Sequence, residues 1–340
     1  MPIGSPSSVI FDCEGPRLTP EERAFFKDVD PWGFILFARH CESADHVRAH
    51  CDELRECVGR EDAPILIDQE GGRVARMKPP AFPAHPAPAV FGELFKLDPK
   101  KAGEAARLDG YLLGRLVSDL GVNLNCVPML DVPQMDADQQ VIGDRAISKH
   151  PSTITLLAQQ MMEGLIEGGA LPVIKHLPGH GRSLCDSHHD LPRVSASKRD
   201  LQSTDFLPFK SLRDAAMGMT AHIVYEAYDA DRPATLSPIV INEVIRGEIG
   251  FDGLLFTDDL KMKALGGAIP DRISGAYDAG CDIALACNFS LAEKRESASA
   301  LRPLDGKTAA RAGAALAGLQ TPARGDTSEA YERLNALIRP

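Results

Sequence analysis

The chain has 340 residues, 44% of them hydrophobic, enough to bury a sizeable core in one large domain or two ordinary ones. A net charge of −11, scattered rather than blocked, argues against nucleic acid or an anionic membrane as the main partner, since both call for a basic face. No apolar run approaches the roughly 20 residues of a membrane span, and the opening MPIGSPSSVIFDCEG lacks the basic start and apolar stretch of a secretory signal. Eight cysteines without CxxC spacing, several inside apolar or helical runs (Cys51, Cys126, Cys281, Cys287), suit reduced thiols better than a disulfide scaffold, so a cytoplasmic location is expected.

Strand-like apolar runs fall at 9–11, 34–37, 65–67, 122–124, 173–174, 219–224, 254–256 and 283–285. They are mostly continuous rather than alternating, as in strands buried on both faces. Helical patterns lie between them. Val47, Cys51, Leu54 and Val58 share one face; Leu108, Leu112 and Leu116 share another before the fourth run. Ile154, Leu157, Met161 and Leu165 precede the fifth run, with Gly168 and Gly169 as a stop. Ser237-Pro238 reads as an N-cap and first-turn proline of a helix along Ile241, Val244 and Ile245, ended by Gly250. The stretch 264–279 fits a helix only past Gly266, Gly267 and Pro270, and a tail over about 300–340, rich in Ala, Arg and Glu, reads as helical. Eight strands alternating with helices predict a (β/α)8 TIM-type barrel in a single domain over 1–340. An open doubly wound sheet is the competitor, but no GxGxxG or P-loop follows any strand.

In such a barrel chemistry collects at the C-terminal ends of the strands. The fifth run opens PVIKHLPGHGRSLCDSHHDLP (172–192), which carries Lys175, His176, His180, Arg182, Asp186, His188 and His189. The third run ends in Asp68-Gln69-Glu70-Gly71-Gly72-Arg73, with Arg76 beyond; the fourth is followed by Asp131 and Gly143-Asp144-Arg145; the sixth gives His222 and the seventh Asp258-Asp259. Each has a plainer reading. Asp68 can cap a helix or pair with Arg73, Arg145 can be a salt-bridge residue, and Asp258-Asp259 can be an N-cap. His189 can lie on the surface, and His222 can be a ligand or a satisfied interior histidine. Cys185 is a weaker nucleophile candidate than its Asp and His neighbours. A lysine leaving a buried strand needs a partner or a ligand. Adjacent carboxylates repel, so one pKa of the 258–259 pair should rise unless a cation is close, and Lys175 is the candidate cation. Lys175 and His176 would point to opposite faces of a regular strand, so an irregular backbone is expected if both meet one ligand.

The string KHLPGHGRSLCDSHHDLP resembles the signature of family 3 glycoside hydrolases, in the branch of bacterial β-N-acetylhexosaminidases that recycle cell-wall sugars. IDQEGGRVAR at 67–76, IGDR at 142–145 and LLFTDDLKM at 254–262 match further signatures in the same order. Leu177 stands where Phe is common and Thr257 where Ser is common; neither change removes a reacting group. The resemblance implies Asp258 as catalytic nucleophile and His188 as general acid/base paired with Asp186. It implies that Asp68, Arg76, Arg145, Lys175 and His176 hold a non-reducing N-acetylglucosamine. The implied substrate is a muropeptide fragment of the N-acetylglucosaminyl-anhydro-muramic acid type, with chitin-derived sugars as the alternative. No cofactor and no metal are expected, and a monomer is.

An imidazole with a pKa near ~6.5 can serve as acid and base at neutral pH, and a neighbouring carboxylate can orient it. Gly179 and Gly181 give its loop freedom to move. Three rivals stand beside this reading. A metal-dependent hydrolase would use His176, His180, Asp186, His188 and His189, although these lack HxH or HExxH spacing. A substrate-assisted hexosaminidase would use Asp258 and Asp259 as its carboxylate pair. A non-catalytic sugar-binding protein would need neither.

Overall fold

The computed structural model describes residues 5–134, 142–183, 191–322 and 325–339. Its strands are β1 (Ser7–Phe11), β2 (Pro31–Leu36), β3 (Ile65–Ile67), β4 (Leu124–Asn125), β5 (Leu171–Pro172), β6 (Ile174–Leu177), β7 (Arg193–Val194), β8 (Met217–Thr220), β9 (Val224–Tyr225), β10 (Leu254–Phe256) and β11 (Ala284–Ala286). A six-stranded sheet runs in the order β11-β1-β2-β3-β4-β5, a second sheet in the order β10-β8-β6, and β7 pairs with β9. All of these ladders are parallel. The architecture is α/β, because parallel neighbours need long crossovers and helices supply them.

The two larger sheets meet at both ends. Only Val173 separates β5 from β6. At the other edge, Asp282 and Ile283 donate their N–H groups to the Leu255 carbonyl at 2.8 and 3.1 Å, and Phe256 bridges Ile283 in parallel.

Side chains alternate along each strand between two layers, as strand geometry requires. Val9, Phe11, Phe34, Leu36, Ile65 and Ile67 pack against helix residues Phe25, Phe26, Val47, Cys51 and Leu54. Ile10, Ile35, Leu66, Leu124, Met219, Leu254 and Leu285 turn the other way into a layer drawn from strands of both sheets. Phe26 anchors the outer layer, with its ring 5.2 Å from Phe34 and 6.0 Å from Phe11. Truncating it to alanine should cost about 3–5 kcal/mol.

Helix boundaries follow local chemistry. The helix Ala44–Val58 starts where Ser43 accepts the His46 N–H and stops at Gly59 in the left-handed region. Helix Pro151–Glu167 buries Ile154, Leu157, Met161 and Leu165 as read from the sequence. Ser237 Oγ accepts the Val240 N–H, and the segment Val240–Ile249 winds as a π-helix that ends at Gly250 with φ 79°. The tail supplies helices Gly306–Leu316 and Ser328–Ile338.

Two expectations are corrected and one strand pair is added. The run 219–224 divides into β8 and β9, because His222 turns its ring out of the ladder to Thr235 and the Asp259 carbonyl. The β7–β9 pair, only two residues long on each side, carries no readable period. In helix Pro99–Ser118 the buried face is set by Ala102, Ala105, Ala106 and Leu113, leaving Leu108 and Leu116 partly buried, since alanines hide in a hydrophobic pattern that heavier residues dominate.

Candidate active site

At the tip of β3, Gln69 fixes the backbone that carries two acids. Its side-chain oxygen accepts the N–H groups of Arg76 (2.9 Å) and Met77 (3.0 Å), and its amide donates to the Met77 carbonyl (2.9 Å). Asn125, at the end of β4, clamps the Gln69 main chain from the other side, accepting its N–H and donating to its carbonyl, both at 3.0 Å. Asp68 and Glu70, two residues apart, therefore face one cavity.

Lys175, within β6 and only 2% exposed, sits between them with Nζ 2.8 Å from Asp68 Oδ1 and 2.7 Å from Glu70 Oε1. Arg76 donates to the second oxygen of Asp68 at 2.9 Å. Arg145 forms a two-point fork on Glu70 at 2.9 and 2.8 Å. The result is an alternating row, Arg76–Asp68–Lys175–Glu70–Arg145. Burial alone would push the carboxyls up; the adjacent Lys175 and arginines outweigh it, holding Asp68 far below the usual range and Glu70 down at about 2. Burial disfavours the Lys175 charge, but Asp68 and Glu70 reverse that and raise its pKa.

A cis peptide bond joins Lys175 to His176, and the β6–β8 register shifts between Lys175 and Leu177. The backbone is thus irregular at the point expected, and both side chains line the cavity. His176 Nδ1 lies 2.7 Å from Asp131 Oδ2; Asp131 Oδ1 accepts the backbone N–H of His180 at 2.5 Å. Asp131 is fully buried, yet His176 and His180 keep its pKa below the ordinary value against that burial. The His180 imidazole is pushed down to about 4, chiefly by burial and then by His176.

Asp258 follows β10. Thr257 fixes the approach: its N–H reaches the Ile283 carbonyl at 3.0 Å and its hydroxyl accepts the Leu285 N–H at 2.8 Å. Burial raises the Asp258 pKa, but His176, His222, the Asp259 N–H and Lys175 together bring it below the ordinary value. Asp259 goes the other way, pushed up to about 6 by burial despite hydrogen bonds from Lys261 and Asn288.

All six of Asp68, Arg76, Arg145, Lys175, His176 and Asp258 line one cavity of about 260 Å³, floored by Ile35, Met219 and Leu285. Its wall also holds Phe37, Glu70, His180, Asp259 and Asn288, which the sequence reading assigned no place in the sugar site. Glu70 was signalled by its two-residue spacing from Asp68, and Asn288 by its place just past the last strand. His222 lies buried below, with Nε2 3.0 Å from the Asp259 carbonyl. Cys185, Asp186, His188 and His189 lie outside the described residues. Among the described residues no group of three or more His, Cys, Asp or Glu could hold a metal ion, and no helix is long and apolar enough to cross a membrane.

A charged, partly buried pocket with one ionised carboxylate set apart from the paired ones suits a neutral, hydroxyl-rich ligand and attack at an electrophilic carbon. Comparison with known proteins agrees. The N-terminal domain model of glycosyl hydrolase family 3 matches residues 11–307. A β-hexosaminidase of Alkalilimnicola ehrlichii is 39% identical over 82% of this chain and 80% of its own length. The native NagZ structure from Neisseria gonorrhoeae superposes with a TM-score of 0.88 at 30% identity, covering 100% of both chains. The same protein in complex with N-trifluoroacetyl-D-glucosamine gives 0.86 at 30% identity over 99% of each chain. The chain belongs to glycosyl hydrolase family 3 and is a glycoside hydrolase of the β-N-acetylhexosaminidase type.

Proposed function

We propose that the protein is a retaining exo-β-N-acetylglucosaminidase that removes a non-reducing terminal N-acetylglucosamine from peptidoglycan fragments through a covalent glycosyl-aspartate. The observation that carries this reading is the place of Asp258 on the wall of one cavity with Asp68, Arg76, Arg145, Lys175 and His176, where its surroundings hold its pKa below the ordinary value. An ionised carboxylate is the form that can attack an anomeric carbon and balance its oxocarbenium character. Asp258 forms the C–O bond as the glycosidic bond breaks. His188, matched by motif and paired with Asp186, protonates the departing oxygen and later takes a proton from the attacking water. Two displacements at one carbon return its original configuration.

The row Arg76–Asp68–Lys175–Glu70–Arg145 and His176 hold the sugar. Charge-assisted hydrogen bonds from a prepaired row fix orientation without leaving any buried ion alone when the sugar departs. That the gonococcal relative forms a complex with N-trifluoroacetyl-D-glucosamine supports an amino sugar as the ligand. A leaving group derived from anhydro-muramic acid is proposed from the motif resemblance and the likeness to NagZ.

The two large sheets are read as one closed (β/α)8 barrel in a single domain. The hydrogen bonds from Asp282 and Ile283 to Leu255, and the inner layer drawn from both sheets, support it. A cytoplasmic monomer free of metal and cofactor is proposed with it.

The test is hydrolysis of an aryl β-N-acetylglucosaminide by the wild type, Asp258→Ala and His188→Ala. Near-complete loss is expected for Asp258→Ala. A smaller loss is expected for His188→Ala when the aryl leaving group is good and needs little protonation. Equal activity in all three removes both assignments.

A further inference from the structure

Glu70 owes its place to a short hairpin. Its N–H reaches the Val74 carbonyl at 2.9 Å, and Gly71 bridges Val74. The hairpin lies flat on residues 85–87. The Gly72 N–H donates to the His85 carbonyl at 3.0 Å. A Cβ on Gly71, at φ 94°, would stand 2.2 Å from the Pro86 carbonyl oxygen, and one on Gly72 2.7 Å from the Ala87 Cβ. Where residues 85–87 stand therefore decides where Glu70 stands.

The His85 side chain is itself pinned, outside the residues that line the sugar cavity. Its Nδ1 donates to Asp109 Oδ1 at 2.8 Å, with both side chains fully buried. On its other side, Nε2 lies 3.1 Å from the Tyr331 hydroxyl. The two rings meet edge-on at 5.6 Å. Asp109 belongs to helix Pro99–Ser118 and Tyr331 to the last helix, Ser328–Ile338. The last helix is seated independently by Leu334, which is 2% exposed.

We propose that Asp109, His85 and Tyr331 form a positioning relay that sets the Glu70 hairpin, so that the contact of the Tyr331 hydroxyl with His85, rather than the seating of the C-terminal helix as such, tunes sugar affinity in a cavity Tyr331 does not line. The contacts are contiguous: Tyr331 hydroxyl, His85 ring, His85 carbonyl, Gly72 N–H, Glu70. Glu70 in turn places Lys175 and Arg145, so a tilt of the hairpin moves both cations. The relay rests on the reading that this row holds the sugar.

The experiment compares full-length Tyr331→Phe, Leu334→Ala and Glu70→Gln with the wild type on an aryl β-N-acetylglucosaminide, alongside thermal melts. Losing one neutral hydrogen bond in the relay should raise KM about threefold to tenfold in Tyr331→Phe, with kcat within about twofold. Leu334→Ala should lower Tm while KM stays at the wild-type value. An unchanged KM in Tyr331→Phe overturns the relay. So does a KM rise in Leu334→Ala that tracks its loss of Tm, because that would be general loosening of the helix. Glu70→Gln separates the two layers of the argument. If it raises KM while Tyr331→Phe does not, only the relay fails; if Glu70→Gln is silent, the reading of the row fails.

Discussion

Asp259 donates its backbone N–H to Oδ1 of Asp258 at 2.8 Å, and the two neighbouring carboxyls are driven in opposite directions. Against burial, the surroundings of Asp258 (His176 and His222 first, then the Asp259 N–H and Lys175) bring its pKa below the ordinary value, while burial pushes Asp259 up to about 6. The two adjacent acids thus differ in the pH range over which each holds its proton.

This split predicts a pH signature. In the folded chain Asp259 holds its proton from the ordinary value of 3.8 up to about 6, while the unfolded chain releases it. The folded state binds more protons in that window, so stability from this group falls as pH rises through it and levels off above. Asp259→Asn should shift relative to wild type in its own favour by about 1–3 kcal/mol between pH 4 and 7. Urea unfolding at both pH values measures it, and any inflection of kcat/KM near pH 6 that belongs to Asp259 should vanish in the variant.

Removing the central cation should be costly. Lys175→Met leaves Asp68 and Glu70 facing each other without the charge between them, at an expected cost of about 3–5 kcal/mol near neutral pH. Both carboxyls have depressed pKa values in the wild type, so their stabilisation is present above the unfolded values and fades as pH falls through the folded ones. The deficit of Lys175→Met should therefore shrink from pH 7.5 to pH 4.5; a constant deficit would assign it to packing.

Asp131 should matter although it lines no part of the cavity. It orients His176 through Nδ1 and holds the His180 N–H. Asp131→Asn should lower kcat/KM about 10- to 100-fold, by analogy with other carboxylates that orient a functional histidine. Steady-state kinetics with a folded variant, checked by circular dichroism, measures it.

Exhaustive chelation should leave activity intact. The metal-dependent rival needs ligands from 184–190 as well as His176 and His180, whose rings are 5.4 Å apart. Loss of turnover on chelation with recovery on adding Zn²⁺ would favour that rival.

Strands of the two larger sheets were legible where they are buried on both faces and so read as continuous apolar runs; 65–67 and 254–256 coincide with β3 and β10. The short pair β7–β9 and the alanine-lined face of helix Pro99–Ser118 were not, since neither leaves a periodic signal of bulky residues. Site residues at strand tips were legible by position: Asp68, Lys175 and Asp258 all follow or end apolar runs and all reach the cavity. Pairing was not. That Lys175 bridges Asp68 and Glu70, or that Tyr331 reaches His85 across 246 residues, depends on tertiary proximity that no local pattern encodes. The opposite shifts within Asp258-Asp259 follow from unequal burial and charge, of which the sequence offered only the expectation that one of the two would rise.

The most direct test is to trap the intermediate with a 5-fluoro-N-acetylglucosaminyl fluoride and map the modified peptide by mass spectrometry. A glycosyl adduct on Asp258, absent from Asp258→Ala, is the predicted result. Turnover through a released oxazoline with no protein adduct, or an adduct on another carboxylate, would contradict it.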